Sequence, residues 1–499
     1  MQTLWSISGR SIAVSALALA LTACQSMRSP EPVAQASIPP VFIANTPSGP
    51  SIAEQGYKDF FSDQRLLQVI DLALNNNRDL RKATLNIQRA QQQYQISENN
   101  QLPTIGASGG ILRQDTLNSQ KPVTSYNIGL GVTAYELDFW GRVRSLKDNA
   151  LDNFLATSTA RDATQIALVG QVSQAWLNYS FAHSQLRLAE QTLKAQQESY
   201  NLNKKRFDVG IDSELPVRQA QISVETARND VPNYRTQMSQ ALNFLNLWVG
   251  QAVPNNLLPQ QRMNRISTQN ALGTGLPSDL LNNRPDIRTA EYQLSAAGAN
   301  IAAAKARMFP TISLTGSAGY ASTDLSDLFK SGAFIWSVGP SLDIPIFDWG
   351  TRKANIKISE TDQQIALSDY EKSIQSAFRE VNDALAVRQN IGDRIAAQRR
   401  LVDATNTTYK LANARFRAGI DSYLTVLDAQ RASYAAEQGL LLLEQANLNN
   451  QVELYKTLGG GLKANTSDVI VNEASSAERF AEYQQQKDAE KAAKDAEKK

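Results

Sequence analysis

Leu424, Asp428 and Arg431 stand at i, i+4 and i+7 of a stretch, Tyr423 to Gln438, that holds neither proline nor glycine. A helix there carries an apolar, an acidic and a basic side chain on one face. Two readings follow. Within one chain, Asp428 and Arg431 form a solvated i,i+3 pair worth about 0.2–0.5 kcal/mol. Where several copies surround an axis, the same residues become stacked rings of Leu, Asp and Arg, which hold a pore shut and filter ions. Little else in the chain suggests chemistry. There is one His (His183, mid-helix, a packing or surface residue), one Cys and five Met. Catalysis or metal ligation by His is therefore not expected, nor is a soft-metal path. No Ser/His/Asp set or glycine-rich phosphate loop is present. The expectation is a protein that is not an enzyme and needs no cofactor. A net charge of +2 implies no nucleic acid.

The elements that must position these residues are written twice. Arg206-Phe207-Asp208-Val209-Gly210-Ile211-Asp212-Ser213 returns as Arg415-Phe416-Arg417-Ala418-Gly419-Ile420-Asp421-Ser422. Asp79-Leu80-Arg81 returns as Asp286-Ile287-Arg288, Leu102-Pro103-Thr104-Ile105 as Phe309-Pro310-Thr311-Ile312, Trp140-Gly141 as Trp349-Gly350, and Gly250 as Gly459. The separation is 207 up to the Pro-Thr-Ile match and 209 from Trp-Gly onward, a change a loop tip absorbs. Each copy is too long for a solenoid unit, so the chain is two related halves of one architecture.

The N-terminus reads as targeting. Arg10 precedes an apolar run, Ile12 to Leu21, and then comes Leu21-Thr22-Ala23-Cys24, which resembles a bacterial lipobox. Residues 1–23 are expected to be a signal peptide, and Cys24 to carry a diacylglycerol and an N-acyl chain. Gln25 in place of Asp resembles a signal for outer-membrane sorting. Residues 24–60, rich in proline up to Pro50, read as an extended lipidated arm.

The first repeat spans 61–250: a helix over 79–101, a strand hairpin at 104–138 and a long helical hairpin at 142–248. A linker, 251–285, leads to the second repeat, 286–461, with its strand hairpin at 311–347 and helical hairpin at 351–458. A charged low-complexity tail fills 462–499. From Thr351 to Arg417 there is no Pro and one Gly, so the helix is expected to run about 100 Å, at about 1.5 Å per residue. Such helices need partners. Val169, Val172, Leu177, Leu186 and Leu193 form a thin apolar seam, with Gln165, Gln171, Gln174 and Gln185 opposite. Gly210 and Gly419 are expected to end the descending helices, with Ser213 and Ser422 capping the returning ones. Four alternating strands match a membrane β-barrel. Open edges cannot face lipid, so closure requires strands from other copies. Trp140 and Trp349 follow strand ends, as interfacial anchors or as plugs of the strand-to-helix corner, the latter favoured.

With Leu281-Asn282-Asn283-Arg284-Pro285-Asp286, Met308-Phe309-Pro310, Phe347-Asp348-Trp349-Gly350 and the twin Arg-Phe-…-Gly-Ile-Asp-Ser tips in this order, residues 24–465 resemble the TolC-like outer-membrane efflux proteins, in the lipidated OprM-type (NodT-type) branch. The resemblance implies an α+β membrane protein. Three copies would make a twelve-stranded β-barrel, four strands per chain, continuing into a long periplasmic α-helical barrel. It implies a homotrimeric, lipid-anchored exit duct of a tripartite efflux pump, conducting drugs or other small organic molecules. The partners would be outer-membrane lipid, a periplasmic adaptor and an inner-membrane transporter of the RND type. Leu424, Asp428 and Arg431 would be the gate. The tips Gly210, Asp212, Ser213, Leu215, Gly419, Asp421 and Ser422 would contact the adaptor. A type I protein secretion duct is the alternative.

Overall fold

The computed structural model describes residues 27, 32–35, 52, 55–115, 122–260, 265–268 and 279–460. The signal peptide, Cys24, most of the arm and the charged tail lie outside them. The main elements are α1 (Gln64–Asn76), α2 (Arg78–Asn99), β1 (Ile105–Gln114), β2 (Val123–Glu136), α3 (Arg142–Asp208), α4 (Glu214–Val249), α5 (Pro285–Ala306), β3 (Thr311–Ser322), β4 (Phe334–Asp343), α6 (Thr351–Arg417) and α7 (Tyr423–Thr457). Among the described residues no helix is long and apolar enough to cross a membrane. The chain divides into two compact units, and α3 and α6 supply residues to each.

The first unit holds the sheet, antiparallel in the order β1-β2-β3-β4. Apolar partners meet on one face, as in Ile128↔Tyr320 and Tyr320↔Phe334, while Ser317 and Ser337 hydrogen-bond on the other at 2.8 Å. All of β1 is exposed, and Trp336 (70%), Val338 and Leu342 stand uncovered on β4. A soluble sheet buries one face; among the described residues no side chain of these four strands is buried. β4 ends at Asp343, short of the expected 347, so Ile344 and Ile346 lie past it. Pro345, which has no N–H for a ladder, follows two residues later.

Each long helix starts at an aspartate. Asp138 accepts from the backbone N–H groups of Val143 (3.1 Å) and Arg144 (2.9 Å), and Asp348 from those of Gly350 (3.0 Å) and Arg352 (3.1 Å). Hydrogen bonds from the Arg352 side chain, then from backbone N–H groups, pull Asp348 down to about 2. The charge also suits the positive end of a helix. Trp140 plugs its corner: its ring stacks on Phe309 at 4.7 Å, and Nε1 donates to the Pro310 carbonyl at 2.8 Å. Trp349 does not plug a corner within the chain, being 98% exposed.

The second unit holds the helical hairpins. Their seam is small and apolar, with Val169, Val172, Leu177 and Leu186 buried. Gln165 departs from the expected polar face: it is buried with them, at 2% exposure. Amides stitch the hairpins together, Gln445 to Asn178 at 2.7 Å and Gln438 to the Tyr234 hydroxyl at 2.9 Å. Aromatic packing of Phe60 (4.8 Å) and Phe61 (5.5 Å) on Tyr455 closes the opposite end of α7 from Tyr423.

At that end the repeat becomes structural. Asn77 Oδ1 caps α2 by accepting from Asp79 and Leu80 N–H, both at 2.9 Å, while its Nδ2 donates to the Trp248 carbonyl at 2.8 Å. In the second half Arg284 takes that place. It donates to the Thr457 carbonyl at 3.0 Å and pairs with Asp286 (2.6 Å) and Glu380 (2.9 Å). Burial opposes its charge, but the hydrogen bonds and charges of those carboxylates outweigh burial and raise its pKa. Gly250 (φ +80°) and Gly459 (φ +100°) then end α4 and α7 against the backbone at Asn76, the last residue of α1, and at Asn283. A Cβ there would lie 2.5 Å from the Asn76 and Asn283 carbonyl oxygens respectively.

Candidate functional site: the helical tips and the charged face of α7

Both tips close by the same hydrogen bonds. Gly210 N–H donates to Phe207 O and Ile211 N–H to Arg206 O, each at 2.8 Å; Gly419 and Ile420 repeat this to Phe416 O and Arg415 O at 3.0 Å. This is the Schellman arrangement, and it needs the left-handed φ of +75° and +76° that the two glycines supply. Ser213 and Ser422 occupy the N-cap positions in extended conformation, yet neither hydroxyl makes the expected capping bond. The third helical residue, one of the two a cap can use, offers no N–H to it. In the first half that residue is Pro216, with no N–H to give; in the second, the Thr425 N–H goes to the Ser422 carbonyl at 3.2 Å.

The aspartates lock the turns instead. Arg206 Nε donates to Asp212 Oδ2 at 2.5 Å, and Arg415 donates to both Asp421 oxygens at 2.7 and 2.9 Å. The Arg415 hydrogen bond holds the Asp421 carboxyl below the usual carboxylate range. Both arginines escaped the sequence reading, although the signal was present: Arg and Asp recur six residues apart around each glycine. Arg206 also lies over the Phe416 ring at 5.0 Å, joining the two halves. Beneath sits a cluster of Ala220, Ala412, Phe416, Tyr423, Val426 and Leu427. Burial pushes the Tyr423 hydroxyl up to about 12. Outside it, Ile211, Leu215 and Ile420 are each more than 60% exposed.

α7 turns Tyr423, Val426, Leu427 and Gln430 into that cluster's side and leaves Leu424, Asp428 and Arg431 exposed together. Among the described residues neither Asp428 nor Arg431 forms a salt bridge, so the i,i+3 pair within one chain is not made. Their first-half counterparts are Gln219, half-buried, and Ile222, 60% exposed. The charged face belongs to the second half alone. Among the described residues no group of His, Cys, Asp or Glu could hold a metal.

A four-stranded sheet bare on both faces and open at both edges, with helices of 67 residues and charged tips, defines the class of membrane ducts built from several copies of a chain. The family model for outer membrane efflux proteins matches residues 69–251 and 276–460, one match on each repeat, and the chain belongs to that family. It is 42% identical over 428 residues to the probable efflux pump outer membrane protein TtgC of Pseudomonas putida, covering 85% of this chain and 88% of that one. It is 40% identical over 413 residues to the cation efflux system protein CusC of Escherichia coli O157:H7, covering 81% and 88%. The crystal structure of the open state of the Neisseria gonorrhoeae MtrE outer membrane channel superposes with a TM-score of 0.83 at 36% identity, over 89% of this chain and 100% of that one. The chain is therefore a protomer of a trimeric outer-membrane efflux channel. It gives four strands to the barrel and its long helices to the periplasmic duct, and it acts as the outer-membrane component of an efflux pump.

Proposed function

We propose that the channel is a gated, passive exit duct for small organic molecules, closed at its periplasmic mouth by rings of Leu424, Asp428 and Arg431. The observation that carries the gate is the face of α7: an apolar, an acidic and a basic side chain exposed in line, with neither Asp428 nor Arg431 in a salt bridge among the described residues. Charges left open on an axis-facing helix find partners across copies, and their rings oppose free ion flow. The twin tips, with apolar Leu215, Ile211 and Ile420 around the Arg206–Asp212 and Arg415–Asp421 locks, suit contact with a periplasmic adaptor. An inner-membrane transporter of the RND type supplies the energy, since the duct has no catalytic machinery of its own. Cys24 anchors each copy by lipid.

For cargo, the relatives' names divide: antibiotics for ArpC and toluene for TtgC, both of Pseudomonas putida, against cations for CusC. Five Met and one His provide few soft-metal ligands along a duct, which favours organic cargo. The test is deletion of the gene, followed by accumulation of a panel of dyes and antibiotics. Accumulation should rise, and should be restored by the intact gene but not by a Gly419→Trp tip variant. Unchanged accumulation together with loss of a secreted polypeptide would replace this reading with a type I secretion duct.

A further inference from the structure

Within one chain the β2–β3 seam already joins the end of a first-half hairpin to the start of a second-half one. By the internal repeat, β4 corresponds to β2 and β1 to β3, so the seam has an unmade twin whose two sides are the sheet's open edges. We propose that Trp349 is the lock of that twin: it docks on the Leu102–Pro103 corner of the next copy, with its Nε1 donating to the Pro103 carbonyl, and fixes the register of β4 against that copy's β1.

The pattern is Trp140. It stacks on Phe309 at 4.7 Å and donates to Pro310 O at 2.8 Å. Phe309-Pro310 corresponds to Leu102-Pro103, and Trp140 to Trp349. Both members of the twin contact are bare in the single chain, Trp349 at 98% and Leu102 at 65% exposure, and Phe347, two residues before Trp349, is 85% exposed. Trp349 is also held at φ +52°, a conformation that a bulky residue keeps only where its surroundings demand it.

The same correspondence sets the register. β3 follows β1 at 207 residues. β4 follows β2 at 209 below the irregularity between Val132 and Tyr135, and at 210 above it, because β4 carries no matching extra residue. Transposing Leu130↔Ala318 and Val132↔Gly316 places Pro340 opposite Ile111 of the next copy and Leu342 opposite Gly109 of the next copy. Ser337 then faces Gln114 of the next copy. Every pair so produced joins like faces of the sheet, as Pro340 with Ile111 and Ser337 with Gln114, although Val338 then meets Arg113, and a slip of one residue would set opposite faces together.

The inference rests on the family's trimeric assembly and is independent of the gate. The test uses the full-length protein in outer membranes. Ser337→Cys combined with Gln114→Cys should, on mild oxidation, give dimer and trimer bands, because directly opposed Cβ atoms lie about 4.5–5.5 Å apart. Ser341→Cys with Gln114→Cys, four residues out of register, should give none. Trp349→Ala should lower the temperature at which the trimer dissociates in SDS by about 5 °C or more, and Trp349→Phe by less, since the ring is kept. Crosslinking by the offset pair would overturn the register. Dissociation of Trp349→Ala at the wild-type temperature would overturn the lock.

Discussion

Four glycines with nearly the same backbone conformation should respond very differently to one added methyl group. Gly210, Gly250, Gly419 and Gly459 have φ between +75° and +100°. Alanine in the left-handed region costs about 1–2 kcal/mol wherever it is placed. At Gly210 and Gly419 nothing lies within 4 Å of the new Cβ, so that cost is the whole effect. At Gly250 and Gly459 the Cβ would sit 2.5 Å from a backbone carbonyl oxygen, of Asn76 and Asn283. Backbone cannot swing aside as a side chain does, and the forced shift adds roughly 1–3 kcal/mol. Gly250→Ala and Gly459→Ala should therefore cost about 2–5 kcal/mol per protomer. The assay is thermal unfolding of the purified trimer in detergent, followed by far-UV circular dichroism at fixed protein concentration. The Gly250 and Gly459 variants should lose clearly more melting temperature than the tip pair. Equal losses at all four positions would refute the close-approach argument.

Arg284→Ala should destabilise by roughly 2–4 kcal/mol, because Asp286, Glu380 and the Thr457 carbonyl lose a buried partner, though the two carboxylates keep some solvent; Asn77→Ala, its neutral counterpart, should cost about 1–2 kcal/mol in the same melt. Tyr423, raised to about 12, favours the folded tip below the ordinary tyrosine pKa and gives up that contribution as pH climbs from about 10 through 12. In an absorbance titration at 295 nm, Tyr423→Phe should remove a component near pH 12; removal of one near pH 10 would contradict its burial. Gly210→Trp or Gly419→Trp should abolish crosslinking to the adaptor while the trimer persists.

Much of this architecture was legible because it is stated twice. The glycines at 210 and 419 end their helices as their spacing suggested, and the alternation of Ile312 to Tyr320 became β3. Side-chain pairing was harder to read. Ser213 and Ser422 carry capping residue types, but residue type does not fix where a hydroxyl points, and neither makes a cap bond. Of the two N–H groups a cap can use, Pro216 lacks the one three residues on and Thr425 turns its own to the Ser422 carbonyl. Ile344 and Ile346 continue the β4 alternation on paper, whereas the ladder ends at Asp343, two residues before Pro345. Asn77 and Arg284 are aligned by the 207-residue separation, but their unlike chemistry hides a shared role that the carbonyls of Trp248 and Thr457 reveal. Trp140 and Trp349 are identical letters with opposite exposure, because the partner of one lies in the chain and that of the other does not.

The gate is the central claim, and conductance tests it directly. Purified wild-type channel and Asp428→Ala should be compared in planar lipid bilayers at low ionic strength, where screening is weak. Wild type should show small, infrequent openings, and removal of the acidic ring should raise the conductance and the open time. Identical conductance in the two would contradict a constriction built on Leu424, Asp428 and Arg431.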